Sequence, residues 1–410
     1  MSIGNEITQD MKQLQGDIEV SRWPQKSLSE VAVIERDSIQ PSEIKSGTLY
    51  LGLEHIESGG KILSALEVSN GELASSKFRF TPAHILYGKL RPYLAKITCP
   101  EFNGICSTDI LPILPNGDMD KRYICYFLRQ PKIVAFANSR ASGANLPRLS
   151  PTALSQISLP VPPLSEQKRI AEILDRAEAL RAKRRAALAL LDELTQSIFL
   201  DMFGDSEVQN SKWPVHTVAE YVAEFQGGKS LESNDDNNSQ RRVLKVSAVT
   251  GMKFRPLESK PIDDAYEPAN DHFVRNGDLL FSRANTTELV GAVAYVTNCP
   301  QNLLLPDKFW RFVWRDEDAV HPLFIWHLFQ SRPVRREIGN RASGTSGSMK
   351  NISKAKLFGI PTILPPFVLQ QQFAERISAV ERIQDRLRAS RAELDQLFAS
   401  LQHRAFRGEL

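Results

Sequence analysis

A chain of 410 residues, 42% hydrophobic and 24% charged, has the composition of a globular protein with two or three domains. A formal net charge of +3 requires any DNA-binding face to gather its basic residues in one place. The first 20 residues lack the apolar core of a secretory signal, and no apolar run is long enough to span a membrane, so we expect neither. The four cysteines form no Cys-x-x-Cys pair, which favours a reducing cytoplasm without disulfides or structural zinc: Cys99, Cys106, Cys125 and Cys299.

The first globular domain opens at Trp23-Pro24, after a polar arm. Residues 48–53 and 85–87 are short apolar or alternating runs bounded by Gly, Pro and Asn, which is typical of strands. Residues 123–136 favour a helix that a proline interrupts. This domain is therefore predicted to mix α and β structure.

A long helix is predicted after Pro162-Pro163, because the chain then runs to Gly204 without Gly or Pro. Ser165 is its predicted N-cap, and Gly204 is its predicted left-handed stop. Its apolar residues recur with a 3.5-residue period, and one apolar seam on a helix about 57 Å long needs a partner helix. The seam is predicted to contain Ile170, Ile173, Leu180, Leu191, Leu194 and Ile198.

Trp213-Pro214 opens a second domain in which the order of features repeats. Asn276-Gly277 is predicted to form a turn before a strand at 278–281. Two further segments recur in order: Cys99-Pro100 matches Cys299-Pro300, and Arg140-Ala141-Ser142-Gly143 matches Arg341-Ala342-Ser343-Gly344.

A second long helix follows Pro365-Pro366. We predict that the two long helices pack on each other as a spacer; the alternative is two unrelated amphipathic helices on separate cores. The second seam is predicted to contain Val380, Ile383, Leu387, Leu394, Leu397 and Leu401.

The segments nearest to known catalytic motifs each lack an essential part. Gly227-Gly228-Lys229-Ser230 lacks the earlier glycine of a phosphate-binding loop. Leu364-Pro365-Pro366-Phe367 lacks the Asn or Asp that grips an amine in amino-methyltransferases, and Pro306-Asp307-Lys308 lacks the acidic-x-Lys of a nuclease core. The seven histidines show no metal-ligand spacing. We predict no catalytic site and no metal site.

Basic and small polar residues concentrate in loops of both domains. Arginine can contact guanine and asparagine can contact adenine, while lysine and backbone amides hold phosphates. The recurrence of Arg-Ala-Ser-Gly favours a shared DNA-binding role over isolated surface charges. The candidates are Lys89, Arg91, Arg140, Ser142, Asn145 and Arg148 in the first domain, and Arg283, Asn285, Lys308, Arg341, Ser343, Ser346 and Lys350 in the second.

These features together resemble the DNA-specificity subunits of type I restriction-modification systems. The resemblance covers residues 21–410 and is carried by the segments 159–171, 191–204, 277–283 and 405–410. The Pro-Pro-Leu-x-Glu-Gln start of the first long helix is specific to that family, and the second copy departs from it at Phe367-Val368-Leu369.

The resemblance implies an α+β fold in which two mixed α/β target-recognition domains are separated by two long helices. The helices would form an antiparallel coiled coil within a pseudo-twofold internal repeat. The implied divisions are an N-terminal arm at 1–20, a recognition domain at 21–161, a central helix at 162–205, a second recognition domain at 206–364 and a C-terminal helix at 365–410.

The family's function would then be noncatalytic recognition of double-stranded DNA, each domain contacting one half of a split, asymmetric site. The coil would set the spacing and dock two methyltransferase subunits that bind S-adenosylmethionine. Motor-nuclease subunits that use ATP and magnesium would join for cleavage. Two alternatives stay open: a coiled-coil scaffold that binds only proteins, and a stand-alone enzyme with an unrecognised site.

Overall fold

The computed structural model describes residues 22–204, 212–233, 239–346 and 349–410. The chain divides into two compact units, which we call unit 1 (residues 1–186 with 389–410) and unit 2 (residues 187–388). The predicted arm at residues 1–20 lies outside the described residues. Among the described ranges, no helix combines the length and the apolar content that crossing a membrane requires.

Two helices are far longer than the rest, and each contributes one half to each unit. The first begins at Leu164, so Ser165 lies inside its first turn and the predicted cap is wrong; the carbonyl of Pro163 accepts the first helical hydrogen bonds. Its end is as predicted, since Gly204 has φ +84°. The helices are α1 Leu28–Val31, α2 Lys121–Leu128, α3 Pro131–Ser139, α4 Pro151–Ser155, α5 Leu164–Phe203, α6 Val218–Tyr221, α7 Pro322–Gln330, α8 Arg332–Arg341, α9 Lys354–Phe358 and α10 Phe367–Arg407.

The described residues of unit 1 form three sheets, of orders β2-β10-β7-β8, β3-β6-β9-β4-β5 and β1-β11. All pairs are antiparallel except β4 with β9. The strand predicted at 85–87 is present as β7, and the one predicted at 48–53 is present as β4 but ends at Leu51, because a 3-10 turn begins at Leu53. The strands are β1 Gln25–Ser27, β2 Ala32–Ile34, β3 Ser38–Ile39, β4 Thr48–Leu51, β5 Leu66–Val68, β6 Lys77–Phe80, β7 Ile85–Gly88, β8 Ile97–Thr98, β9 Gly104–Cys106, β10 Ile110–Pro115 and β11 Ser158–Pro160.

Unit 2 repeats two of these sheets in the same order, as β13-β20-β16-β18 and β12-β23. Its described residues also form two smaller sheets, β15-β14-β19 and β17-β22-β21. The strands are β12 Val215–Thr217, β13 Val222–Gly227, β14 Arg242–Leu244, β15 Ser259–Pro261, β16 Leu279–Ser282, β17 Ala284–Asn285, β18 Val293–Tyr295, β19 Leu303–Leu304, β20 Phe309–Trp314, β21 Ser343–Ser346, β22 Met349–Asn351 and β23 Pro361–Ile363.

Each unit packs the start of one long helix and the end of the other into its main core. In unit 1, Phe406 of α10 lies against Tyr123 and Phe127 of α2, with ring centroids 5.1 and 5.4 Å apart. In unit 2, Phe203 of α5 lies 4.9 Å from the ring of Phe324 in α7. Burial of large aromatic side chains is the largest stabilising contribution a core of this kind makes.

Within each unit the two helix halves run in opposite directions. In unit 1, Arg169 of α5 donates to the carbonyl of Leu410, while Arg181, further along α5, bonds to Asp395 at 2.6 Å. In unit 2, Gln384 of α10 donates to the carboxylate of Asp192 at 3.0 Å. As α5 advances in unit 1, its partner residues therefore move backwards along α10, which is the antiparallel arrangement.

The predicted heptad positions are only partly buried. Ile170 and Val380 are buried, and Ile173, Leu191, Ile198, Leu387, Leu394 and Leu401 are half-buried. The prediction is corrected at Leu180, Leu194, Ile383 and Leu397, whose exposed fractions are 51%, 43%, 47% and 48%. The inward face instead includes Leu174, Ile377 and the polar Gln384, because the helices present a face offset by one residue from the most apolar heptad frame.

Candidate nucleic-acid interface

A hairpin at residues 142–148 organises the candidate residues of unit 1. Ser142 and Arg148 exchange two backbone hydrogen bonds of 3.0 and 2.9 Å, and Arg148 also bridges to Leu90. The backbone nitrogen of Leu149 donates to the carbonyl of Lys89 at 2.9 Å. The hairpin is thereby fixed to the loop that follows β7, and it brings Lys89, Ser142 and Arg148 together.

Unit 2 builds the same hairpin as part of a three-stranded sheet. Ser343 of β21 pairs with Asn351 of β22, and Asn351 pairs with Ala284 of β17. The backbone nitrogen of Ile352 donates to the carbonyl of Arg283 at 3.1 Å. Each of these contacts has a counterpart in unit 1, so the sheet holds Arg283, Asn285, Ser343 and Lys350 in the corresponding arrangement.

The Ser-Gly dipeptide recurs because both hairpins close tightly at the glycine. A Cβ atom on Gly143 would lie 3.0 Å from the carbonyl oxygen of Leu146. A Cβ atom on Gly344 would lie 2.3 Å from the carbonyl oxygen of Met349, which no side chain could tolerate without moving the backbone. The repeated sequence thus encodes a close approach of two backbone segments.

A carboxylate lies among the basic side chains of each unit. In unit 1, Asp109 accepts from Arg148 Nε at 3.1 Å and lies 3.8 Å from Lys89 Nζ. In unit 2, Asp307 lies 3.1 Å from Lys308 Nζ and 3.6 Å from Arg283 Nη2. The aspartates enter from the loops that lead into β10 and β20, and ion pairs of this kind orient cations more than they stabilise the fold.

Arg91 is attached to the unit 1 hairpin through its backbone. Its nitrogen donates to the carbonyl of Pro147 at 2.7 Å, and its φ of 51° places a non-glycine residue in the left-handed region. Such strained positions concentrate at functional sites. Its side chain is exposed, as is that of Tyr93 two residues later.

The remaining candidates differ in their surroundings. Arg140 follows α3, is exposed, and lies over the ring of Phe136 at 4.4 Å. Arg341 is half-buried; it pairs with Glu337 at 3.2 Å, and Lys356 Nζ donates to its carbonyl, so it braces α8 against α9. Asn145 is exposed within the unit 1 hairpin, and Ser346 ends β21, with its side chain outside the described part of the chain.

Sequence analysis missed the two aspartates and the exposed apolar residue in each hairpin. Asp307 was considered only as part of an incomplete nuclease motif, and Asp109 carried no pattern. One signal was present: each aspartate stands just before a buried strand, within two residues of its start. Leu146 and Met349, 45% and 58% exposed, gave no signal because loops commonly expose single apolar residues.

Residues 21–189 match the family model described as the type I restriction modification DNA specificity domain. Over these residues the chain is therefore similar to the DNA-specificity domain of type I restriction-modification systems. The matched region lies on unit 1 and the greater part of α5.

Two similar proteins are themselves specificity subunits of type I restriction enzymes. The chain is 27% identical over 306 residues to the specificity subunit of the type I restriction enzyme EcoKI from Escherichia coli (strain K12), and the match spans 70% of this chain and 65% of that protein. It is 31% identical over 188 residues to the EcoDI specificity subunit from Escherichia coli, spanning 45% of this chain and 42% of that protein. The chain thus covers less than two thirds of the length of both relatives.

A solved structure of the type I restriction-modification system S subunit from M. genitalium has the same general fold. The TM-score is 0.58 at 13% identity, and the match covers 94% of this chain and 96% of that chain. At this identity the likeness concerns the fold alone, and it extends well beyond the region that the family model matches.

Proposed function

We propose that this chain is a noncatalytic DNA-recognition subunit in which each unit contacts one half of a bipartite, asymmetric site. The observation that carries the proposal is the hairpin built twice, each time beside basic side chains held by a carboxylate. In this proposal residues 21–161 and 206–364 are the target-recognition domains. Arginine and lysine in such loops can hold phosphates and contact base edges.

The two half-sites should differ in sequence because the two hairpins present different side chains. Arg148 in unit 1 stands where Asn351 stands in unit 2, and Lys89 stands where Arg283 stands. Arginine pairs best with guanine and asparagine with adenine when they contact base edges in the major groove. Equivalent backbones with different donors would thus select different bases.

We further propose that residues 162–205 and 365–410 form an antiparallel coiled coil with pseudo-twofold symmetry, which sets the distance between half-sites. The contacts inside the units support this symmetry. Gln167 and Gln370 make equivalent buried contacts, and the Arg181–Asp395 pair of unit 1 has its counterpart in the Gln384–Asp192 pair of unit 2. Dimeric DNA-binding proteins select the separation of their half-sites by a fixed spacing between two recognition elements.

The expected partners are two methyltransferase subunits that bind S-adenosylmethionine, and motor-nuclease subunits that use ATP and magnesium. Exposed leucines on the long helices support a protein-binding role for them, since apolar surface in repeated rows marks interaction sites. These residues include Leu180, Leu190, Leu194, Leu200 and Leu397.

The same exposed leucines favour a second candidate, a scaffold that binds proteins without contacting DNA bases. The two candidates differ in one outcome. A scaffold leaves DNA methylation independent of this chain, whereas a recognition subunit determines which adenines are methylated.

The decisive experiment maps adenine methylation in cells that carry this chain with its methyltransferase partner, against cells that lack only this chain. We expect a split motif of two short, different half-sites around a fixed gap, present only with this chain. Absence of chain-dependent methylation, while the partner is shown to be active, would reject DNA recognition and leave the scaffold.

A further inference from the structure

Two exposed apolar side chains occupy the same place in the two hairpins. Leu146 stands two residues before Arg148, and Met349 stands two residues before Asn351, which are the matched bridge residues. Their exposed fractions are 45% and 58%. In each case the carbonyl of the apolar residue is the atom that the neighbouring glycine approaches. The backbone therefore fixes both side chains at an equivalent point.

Basic residues are neighbours of these apolar residues in the hairpin. In unit 1, Arg148 Nη1 donates to the carbonyl of Leu146 at 3.4 Å, and the backbone of Arg91 is bonded to Pro147, the next residue. In unit 2, Lys350 follows Met349 directly and its Nζ donates to the carbonyl of Gly344 at 3.0 Å. An apolar group beside a cation suits duplex DNA, where phosphates that bind cations flank the stacked bases.

We infer that Leu146 and Met349 are apolar wedges that enter a base step in their respective half-sites and partly unstack it. This inference rests on the proposed function. Apolar side chains inserted between base pairs kink the duplex in other DNA-binding proteins. A methyltransferase must rotate its target base out of the stack, and unstacking a neighbouring step lowers the cost of doing so. This chain would thus assist the partner's chemistry as well as direct it.

The test uses the complex of this chain with its methyltransferase partner on a duplex that carries the mapped split site. 2-Aminopurine, placed beside the target adenine in one half-site at a time, reports unstacking through its fluorescence. We expect Leu146→Ala to reduce the fluorescence rise by about threefold or more in the half-site that unit 1 contacts, and in that half-site alone. Met349→Ala should do the same in the other half-site.

Matched controls come from exposed apolar residues elsewhere in each unit. Val33→Ala in β2 and Val215→Ala in β12 remove similar side chains, which are 55% and 48% exposed. Both should leave the fluorescence unchanged. Leu146→Met, which keeps a long apolar side chain, should retain most of the signal.

A rescue experiment separates a wedge from a general binding defect. A mismatch opposite the target adenine lowers the cost of extruding that base. Methylation by the Leu146→Ala complex should therefore recover on the mismatched duplex towards the wild-type rate.

Two outcomes would overturn the wedge. The first is unchanged fluorescence with Leu146→Ala while the wild-type complex methylates the split site. The second is a loss of the fluorescence rise in the wild-type complex, equal to the loss caused by Leu146→Ala, when uracil replaces thymine in that half-site. That result would assign Leu146 to a contact with a thymine methyl group. Failure of the wild-type chain to direct methylation would instead reject the proposed function.

Discussion

The side-chain oxygen of Gln167 accepts a hydrogen bond from the backbone nitrogen of Asp120 at 2.9 Å, which joins the start of a long helix to the start of α2. Its amide nitrogen donates to the carbonyls of Pro162 and Asp118 at 2.9 and 3.2 Å. Gln370 bonds in the same way to the backbone of His321 in unit 2. A single buried amide thus fixes the core of each unit to the start of a long helix.

Replacement of Gln167 by leucine should lower the free energy of unfolding of unit 1 by roughly 3 kcal/mol, because one buried and two partly buried backbone groups lose their partner. Gln370→Leu should have a similar effect on unit 2. Denaturant unfolding monitored by circular dichroism gives the measurement. Gln371→Leu, on an exposed position of the same helix, is the control and should change little. Equal stability of Gln167→Leu and wild type would contradict the structural role.

Asp109→Asn should strengthen binding to unrelated DNA while weakening discrimination at one half-site. Loss of one negative charge near phosphates contributes about 1 kcal/mol in water-like surroundings, and Arg148 loses the partner that orients it. Titrations on specific and random duplexes at several salt concentrations give both quantities. Asp118→Asn carries the same charge change on an exposed residue beyond the far end of β10. If the two variants behave alike, Asp109 acts through net charge only.

Leu191→Asp should weaken the packing of α5 in its half-buried position, whereas Leu190→Asp places the same charge on a residue that is 64% exposed. We expect a loss of roughly 2 kcal/mol in unfolding free energy for Leu191→Asp and little change for Leu190→Asp. A pull-down with the proposed methyltransferase partner then separates two effects. Loss of docking in Leu190→Asp with unchanged stability would place the partner on the exposed face.

Acid should destabilise unit 2 through His327. Burial, and secondarily Lys253, lowers the pKa of this histidine from 6.5 to about 4. The unfolded chain therefore binds more protons than the folded chain between those values. Stability is full above pH 6.5 and falls as the pH is lowered towards 4, by up to about 3 kcal/mol.

The matched variant His327→Leu should remove this part of the pH dependence. Unfolding free energies of both proteins between pH 4 and 7 give the difference, which isolates His327 from other titrating groups. The histidine stands six residues after the N-cap of α7, where unit 1 has Tyr126 after the N-cap of α2. An unchanged slope in His327→Leu would contradict the assignment.

The long helices and several strands could be predicted from sequence because two signals are local. These are the periodic spacing of apolar residues and the Gly and Pro residues at the ends of the elements. Helix α5 ends at Phe203, directly before the predicted stop at Gly204. The buried face of the long helices was harder to predict, because the heptad register with the most apolar residues is not the register that packs against the other helix. Arg181 lies on the inner side with its guanidinium 4.5 Å from the ring of Phe398, so a charged residue takes a position that a hydrophobic pattern cannot identify.

Sequence located the two candidate hairpins but not the roles of their residues. The repeated Arg-Ala-Ser-Gly located the hairpins, but its arginine and its glycine have different roles. The glycine permits the close approach at Leu146 and Met349, while Arg341 is occupied by Glu337. Other residues beside the hairpins, above all Asp109 and Asp307, come from distant parts of the chain. A single sequence carries no signal that such distant residues lie close to the hairpins.

The division of the chain means that the two units are completed at different times during synthesis. Unit 2 is continuous from residue 187 to residue 388, so the ribosome delivers all of it before the last part of unit 1. Unit 1 must wait for Gln402, which donates to the carbonyl of Tyr126 at 2.9 Å, and for Phe406. Unit 1 therefore begins first and is completed last. Translation that stops near residue 388 yields a complete unit 2 and a unit 1 that lacks its last helical segment.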